Sequence, residues 1–300
     1  MARRLLLNLA LLTMVAALAL VVWLEPGKEG DPPRAPITTV DGTTVERIAI
    51  DYPGGRPGLI LERHGEGWWL ATPYDLPANA FKAGTLLDLL EAPSQGTVAV
   101  AGDDLAPFGL APPRAVVRFD DFPVAFGATE AIDGYRYVRV DGRVHLVQDR
   151  YFPQLNTAPT GFVSYRLLPP DAMPHAIRLG RLRVERGDEG WTVEPADAGL
   201  VADAEARLAR AWQEARAVAV RPHETTAAEG EEVVVELGDG KQSITFRVLE
   251  KDGDTLFLRP AKGLAYVVPE HLAERLLEPE RRPEDASATP RDPPPPAATR

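Results

Sequence analysis

Two stretches, LERHGEGWW at 61–69 and VERGDEGWT at 184–192, decide the fold that the sequence predicts. Each runs through an apolar residue, Glu-Arg, a glycine turn and Gly-Trp at the same spacing. Outward from there, each copy continues with a proline, a helical stretch (79–91 and 204–216) and the same series of strand signals. Because these matches keep one order at an offset of about 120 residues, the sequence predicts an internal duplication.

Within each copy the pattern predicts antiparallel strands. Ile244, Phe246 and Val248 alternate with polar residues, as in a half-buried strand, and Asp-Gly pairs such as Asp141-Gly142 separate such runs. The helix of the second copy is predicted to begin at Asp203 as its N-cap. The expected class is therefore α+β, with an N-terminal transmembrane helix followed by two tandem repeats of a twisted antiparallel sheet with one covering helix, β-β-α-β-β-β-β in each repeat.

The transmembrane helix is predicted from the apolar run 5–24. An apolar helix of about 20 residues matches the roughly 30 Å hydrocarbon layer. Arg3 and Arg4 precede the run, so the positive-inside rule places the N-terminus inside. We expect a single-pass protein of the bacterial inner (cytoplasmic) membrane that contacts the lipid bilayer through 5–24 and has its body in the periplasm. A signal peptide cleaved after the pattern at 17–19 is the alternative, and it also exports the body.

The composition on either side of the body predicts a flexible linker before it and a disordered segment after it. The stretch after the apolar run is rich in Pro, Gly and charge, and the end of the chain has few apolar residues. The predicted segments are a cytoplasmic N-terminus (1–4), the anchor (5–24), a flexible stalk (25–37), the first repeat (38–157), a connector (158–171), the second repeat (172–278) and a disordered Pro-rich tail (279–300).

The residue inventory argues against several classes of function. Zero cysteines exclude disulfides, thiolate metal sites and a cysteine nucleophile, and a net charge of −11 disfavours nucleic-acid binding. The five histidines are scattered, and none of the four serines lies in a Gly-x-Ser-x-Gly motif. Asp252-Gly253-Asp254 fits a turn better than a calcium loop. We therefore predict no catalytic, metal or cofactor-binding residues and no enzyme activity, with a carboxylate site of unrecognised type as the alternative.

Trp69 is the candidate interaction residue. Trp68 and Trp191 occupy equivalent positions and are expected in the core, whereas the counterpart of Trp69 is Thr192. Because neighbours on a strand face opposite ways, Trp69 is expected outside if Trp68 is inside. It then contacts a partner, or it is covered by the stalk or by the other copy; the sequence leaves both alternatives open.

The segment DLAPFGLAPP at 104–113 resembles a bacterial family, domain of unknown function family 4340. Members carry Leu-x-x-Phe/Tyr-Gly-Leu-x-Pro-Pro, and the resemblance covers most of 38–277, including the Gly-Trp strand. The motif residues here are Phe108, Gly109, Leu110, Pro112 and Pro113. The resemblance implies a membrane-associated protein, in some members beside ABC-type transport or gliding-motility components, and it defines no catalytic residues.

These observations together predict a non-enzymatic, membrane-tethered protein of the cell envelope. It is expected to act as a scaffold or accessory subunit that binds another membrane or periplasmic protein, with a link to ABC-type transport implied by the resemblance. One alternative is a module that binds an envelope polymer or a small ligand in a groove between the copies. That alternative requires a deep apolar pocket with convergent polar groups. The oligomeric state is left open.

Overall fold

The computed structural model describes residues 2–24, 34–100, 104–196, 199–224, 230–251 and 253–281. Its helices are α1 (Ala2–Leu24), α2 (Ala80–Leu87), α3 (Phe152–Leu155), α4 (Ala204–Glu214) and α5 (Glu270–Leu277). Its strands are β1 (Arg47–Asp51), β2 (Leu59–His64), β3 (Gly67–Thr72), β4 (Leu76–Pro77), β5 (Gly96–Val98), β6 (Ala115–Phe119), β7 (Phe122–Thr129), β8 (Arg136–Val140), β9 (Arg143–Val147), β10 (Pro174–Leu179), β11 (Leu182–Gly187), β12 (Gly190–Glu194), β13 (Ala219–Pro222), β14 (Glu231–Leu237), β15 (Gln242–Lys251), β16 (Asp254–Arg259) and β17 (Leu264–Val268).

The chain divides into two compact units. Unit 1 comprises Met1–Gly58 and Gly84–Asn156, and unit 2 comprises Leu59–Ala83 and Thr157–Arg300. The strands of unit 1 follow the order β1-β6-β7-β8-β9-β5, and their pairing is antiparallel. One face of this sheet is buried, since Val117, Phe119 and Val138 alternate with more exposed neighbours along their strands.

Unit 2 contains the antiparallel ribbon β4-β3-β2 and a sheet with the order β12-β11-β10-β14-β15-β16-β17-β13. Helix α4 presents Trp212 to this sheet, where its ring lies 5.6 Å from Phe246 and 5.7 Å from Phe257. The Trp212 indole N–H donates to the Leu276 carbonyl at 3.0 Å, which ties α4 to α5. Trp212, Phe246 and Phe257 are fully buried and form an aromatic cluster in the core of unit 2.

One strand order occurs twice. The series β1-β6-β7-β8-β9-β5 of unit 1 corresponds strand for strand to β10-β14-β15-β16-β17-β13 of unit 2. The β2–β3 and β11–β12 hairpins correspond in the same way, with Trp68 and Trp191 at equivalent places. A repeated strand order of this length is what an internal duplication produces.

The predicted fold class, α+β with β-β-α-β-β-β-β repeats behind a transmembrane helix, is wrong. The described residues form mostly antiparallel strands, with few helices. The prediction omitted β1, β4, β5, β10 and β13. Strand β1 has three consecutive buried residues, so it lacks the alternation that marks a half-buried strand, and β4, β5 and β13 are short. Asp203 does precede α4, but its side chain makes no capping hydrogen bond.

The predicted transmembrane anchor at 5–24 is part of this correction. None of the helices in the described ranges is long and apolar enough to cross a membrane.

Parts of the predicted stalk and tail fall on residues 25–33 and 282–300, which lie outside the described residues. At their described ends, Pro36 pairs with Pro93 and Arg281 pairs with Leu200. The domain boundaries inferred from the repeat remain a prediction.

Candidate binding cavity beside Trp69

The β2–β3 hairpin of unit 2 carries the two adjacent tryptophans. Its turn contains Gly65 with φ of +58°, a backbone conformation that favours glycine. In the register of the hairpin, Trp69 lies opposite Glu62 and Trp68 lies opposite Arg63. Side chains alternate along a strand, so the two indoles leave β3 on opposite faces. Both are nevertheless half-buried, which corrects the expectation that Trp68 belongs to the core.

Trp69 is held on its face by two contacts from the same unit. The His64 ring stacks on it with a centroid distance of 5.3 Å and an interplanar angle of 13°. Its indole N–H donates to Asp75 Oδ1 at 2.9 Å. A stacked ring with a satisfied N–H has little rotational freedom, so Trp69 is oriented before any ligand arrives.

Asp75 connects Trp69 to a distant part of the chain. Lys262 Nζ donates to the Asp75 carboxylate at 3.1 Å and to the Asp75 carbonyl at 3.0 Å. The hydrogen bond from Trp69, followed by the hydrogen bond and charge of Lys262, lowers the pKa of the Asp75 carboxyl from its ordinary value. The carboxylate is therefore ionised at neutral pH and accepts from both partners at once.

Trp68 is fixed differently. The Arg63 guanidinium lies over its ring at 4.8 Å from the centroid, in cation–π geometry. Its backbone carbonyl accepts from the Ala78 N–H at 2.8 Å, which continues the pairing beyond β4. Trp68 is thus held by a basic side chain, that of Arg63, and Trp69 by an acidic one, that of Asp75.

Both tryptophans are among the residues that line a cavity of about 1000 Å³ within unit 2. One wall is the β2–β3 hairpin with Pro77 and Ala78, and a second wall is the segment 169–173. The third wall is the turn between β14 and β15, 237–242. The Gly238 N–H donates to the Met173 carbonyl at 2.9 Å, so the second and third walls are joined.

The character of the lining is mixed, with apolar walls and a charged rim. Pro169, Pro170 and Met173 supply apolar atoms, and Met173 is 58% exposed. Phe81, one residue beyond the lining residue Ala80, is 73% exposed. The ionisable side chains of the lining are those of His64, Glu66, Asp171, Asp239 and Lys241. Such a site is suited to bind an apolar ligand that has a few polar groups.

Neither a metal site nor a hydrolytic site is formed by this lining. Across the described ranges, no group of three or more His, Asp or Glu residues could hold a metal ion. A contact between a serine and a histidine is found in unit 1, where His145 Nδ1 lies 3.0 Å from Ser94 Oγ. Ser94 Oγ already donates to the Gly96 carbonyl at 3.1 Å, and burial, followed by the charge of Arg143, lowers the pKa of His145. The contact between Ser94 and His145 therefore holds the segment that precedes β5 against strand β9.

The family motif has a packing role in unit 1. The Phe108 ring meets Tyr137 edge-to-face at 5.1 Å, and Leu110 is buried. Gly109 has φ of +64°, and an added Cβ there would meet the backbone nitrogen of Ala128 at 2.9 Å. Pro112 is exposed and Pro113 is half-buried. None of the motif residues lines the cavity.

His64, Asp75, Met173 and Lys262 were not singled out from the sequence. Asp75 and Lys262 are 187 residues apart, and no local pattern joins them. The one usable signal was the unmatched tryptophan at Trp69, which pointed to this hairpin but not to its opposite walls.

The fold and the cavity define a class, a mainly antiparallel β protein with a duplicated strand order and a cavity lined by two tryptophans. The model of the family "Domain of unknown function (DUF4340)" matches residues 68–233, which is more than half of the chain. The chain therefore belongs to this family. No curated protein and no solved structure matches it.

Proposed function

We propose that this protein is a non-enzymatic binding protein whose cavity beside Trp69 takes up an apolar segment of a partner protein. The observation that carries the proposal is the pre-oriented indole of Trp69 at the edge of a cavity of about 1000 Å³. Rigid, partly exposed tryptophans are the residues that most often dominate protein interfaces.

The surroundings of the cavity favour a protein segment. Phe81, next to the lining residue Ala80, extends the apolar surface past the lining, so a ligand confined to the cavity would leave it uncovered. An extended segment covers both the cavity and Phe81 and places its polar backbone beside the exposed side chains of Glu66, Lys241 and Gln242, which can accept or donate hydrogen bonds.

A small ligand or an envelope polymer is the second candidate. The volume of the cavity, about 1000 Å³, lies at the upper end of the usual range for small-molecule sites. Native mass spectrometry of the full chain distinguishes this candidate. A bound non-protein mass that disappears in Trp69→Ala would support it.

The partner that we propose is a membrane or periplasmic protein, and a role beside ABC-type transport follows from the family resemblance alone. A location in the cell envelope likewise remains a prediction. The binding proposal depends on neither a transmembrane segment nor a particular compartment, since it is argued from unit 2.

The proposal is tested by photocrosslinking from the rim of the cavity in living cells. The full chain carries a photoreactive phenylalanine at Met173 or, as the control, at Ile132, which is 88% exposed and belongs to unit 1. We expect a discrete protein adduct from position 173, none from position 132, and loss of the adduct when Trp69→Ala is added. The same adducts from both positions, or an adduct that survives Trp69→Ala, would contradict the proposal.

A further inference from the structure

The lining of the cavity contains residues of the kind that bind proline-rich segments. Trp68 and Trp69 line it together with Pro77, Pro169 and Pro170. Proline-rich segments dock into aromatic-lined grooves because their polyproline II conformation is formed before binding and loses little entropy. Such segments have unpaired backbone carbonyls, which accept hydrogen bonds from donors at a rim, as the Gln242 amide could supply.

The chain contains such a segment. Residues 290–297 read PRDPPPPA, with four consecutive prolines at 293–296. They lie outside the described residues, in the stretch 282–300 that follows the last described residue, Arg281. Arg281 itself pairs with Leu200 in unit 2, the unit that contains the cavity.

The length of chain after Arg281 is sufficient for this segment to reach the cavity. Twelve residues lead from Arg281 to Pro293. At about 3.3 Å per residue they span up to about 40 Å. A compact unit of about 170 residues has a radius of gyration of roughly 15 Å, so its surface is within this reach.

The charges of the rim are also compatible. Glu66, Asp171 and Asp239 place three carboxylates at the cavity against the single ammonium group of Lys241, which pairs with Asp239. Arg291 stands two residues before the proline run, with Asp292 between them. Arginine pairs well with carboxylates, so a guanidinium near the run complements the lining residues Glu66 and Asp171.

We propose that the proline run 293–296 occupies this cavity in cis and competes there with the partner segment. The inference rests on the proposed function, because it assigns an occupant to the same site. A tethered segment has an effective concentration on the order of 1 mM. It therefore weakens a competitor's binding about tenfold if its own Kd is about 0.1 mM.

The test uses a peptide of residues 288–300 as the probe and the tryptophan fluorescence of the full chain as the signal. The peptide is titrated into the natural chain and into a variant in which all four prolines at 293–296 are alanine. We expect measurable binding to the four-alanine variant and about tenfold weaker binding to the natural chain. Trp69→Ala in the four-alanine background should weaken binding about 30-fold, as at an interface hot spot.

Two controls keep the test decisive. Trp191→Ala, which changes the equivalent tryptophan outside the cavity lining, should leave peptide binding unchanged. Met173→Asp changes an exposed lining residue whose replacement does not threaten folding, and it should weaken binding if Trp69→Ala proves unstable.

Equal binding of the peptide to both chains, or no binding to the four-alanine variant, would overturn the inference. The molecular mass in solution gives a further outcome. If it doubles with rising concentration for the natural chain and not for the four-alanine variant, the inference is overturned, because the proline run 293–296 then binds a second copy of the chain. A partner adduct from position 173 that persists while the peptide fails to bind would leave the proposed function standing. If neither the partner adduct nor peptide binding is observed, the proposed function and this inference are both rejected.

Discussion

Lys262 and Asp75 form a double contact across 187 residues, through the carboxylate at 3.1 Å and the carbonyl at 3.0 Å. The same carboxylate accepts the indole N–H of Trp69. The orientation of Trp69, the candidate binding residue, is therefore set by a lysine that is distant along the chain and belongs to the same unit.

The first prediction concerns Lys262→Met. The Asp75 side chain is largely exposed, so the loss should lower the free energy of unfolding by less than about 1 kcal/mol. Binding of the 288–300 peptide to the four-alanine background should weaken about two- to fivefold, because Asp75 and Trp69 lose their fixed position. Urea unfolding and fluorescence titration measure the two effects. Arg207→Met, which removes an exposed pair with Glu280, is the matched control, and an equal loss of binding there would contradict the prediction.

The second prediction is a pH dependence of the contact between Trp69 and Asp75. Since the pKa of Asp75 is lowered in the folded state, its stabilising contribution is fully present above its ordinary value of 3.8. It is lost as the pH falls through the lowered pKa of the folded state. In a His64→Phe background, which removes the titratable ring stacked on Trp69, the indole N–H resonance of Trp69 should therefore show a transition below about pH 3.8. The same resonance should show no such transition when Asp75→Asn is added, and a transition that persists there would exclude this account.

The third prediction concerns the ion pair of unit 1 between the buried Arg136 and the half-buried Asp149. Arg136 donates to both carboxylate oxygens of Asp149 at 2.6 Å and to the Gly127 carbonyl at 2.6 Å, and its guanidinium lies 3.9 Å from the centroid of Phe152. Arg136→Met leaves the carboxylate without its charged partner and should cost about 3 kcal/mol in urea unfolding, the lower end of the range for buried pairs.

The double variant Arg136→Met/Asp149→Leu should recover part of that loss, because no uncompensated charge remains. Arg118→Met, which removes an exposed pair with Asp51, should cost less than about 1 kcal/mol. A double variant that is as unstable as the single one would show that packing, rather than charge, sets the cost.

The fourth prediction concerns Gly127, against which the family motif packs. A Cβ at this position would overlap the Phe108 carbonyl oxygen and lie 2.9 Å from Leu110 Cγ. Gly127→Ala should therefore destabilise the protein by about 1–3 kcal/mol. Gly84→Ala is the control, since a Cβ there meets nothing within 4 Å and α2 should gain about 0.5–1 kcal/mol. Thermal unfolding of both variants measures the difference, and a neutral Gly127→Ala would refute the packing role.

The fifth prediction concerns Trp212. Trp212→Phe keeps most of the ring but leaves the buried Leu276 carbonyl without its donor, which should cost about 1–3 kcal/mol. Trp212→Ala also opens a cavity beside Phe246 and Phe257 and should cost about 3–5 kcal/mol. Trp191→Phe, at a half-buried position, should change the free energy of urea unfolding much less.

The prediction of the fold succeeded where a pattern was local and failed where it was not. Strand β15 was readable because Ile244 and Phe246 are buried while Ser243 and Thr245 are exposed. Strand β1 was missed because burial of Ile48, Ala49 and Ile50 in succession removes that alternation. The anchor was predicted from the number of apolar residues in 5–24. The helices of the described ranges do not bear this prediction out.

By itself, the sequence determined the repeated hairpins at 61–69 and 184–192, the acidic and cysteine-free composition and the family motif. Each of these depends on residues that are close along the chain or on simple counts. Only the tertiary structure decided that Trp68 is half-buried, that Trp69 is held through Asp75 by Lys262, and that the 169–173 and 237–242 segments line one cavity with both tryptophans. The reason is physical: alternation specifies which face of a strand is buried, whereas the partner that covers that face is chosen by contacts between segments far apart in the chain.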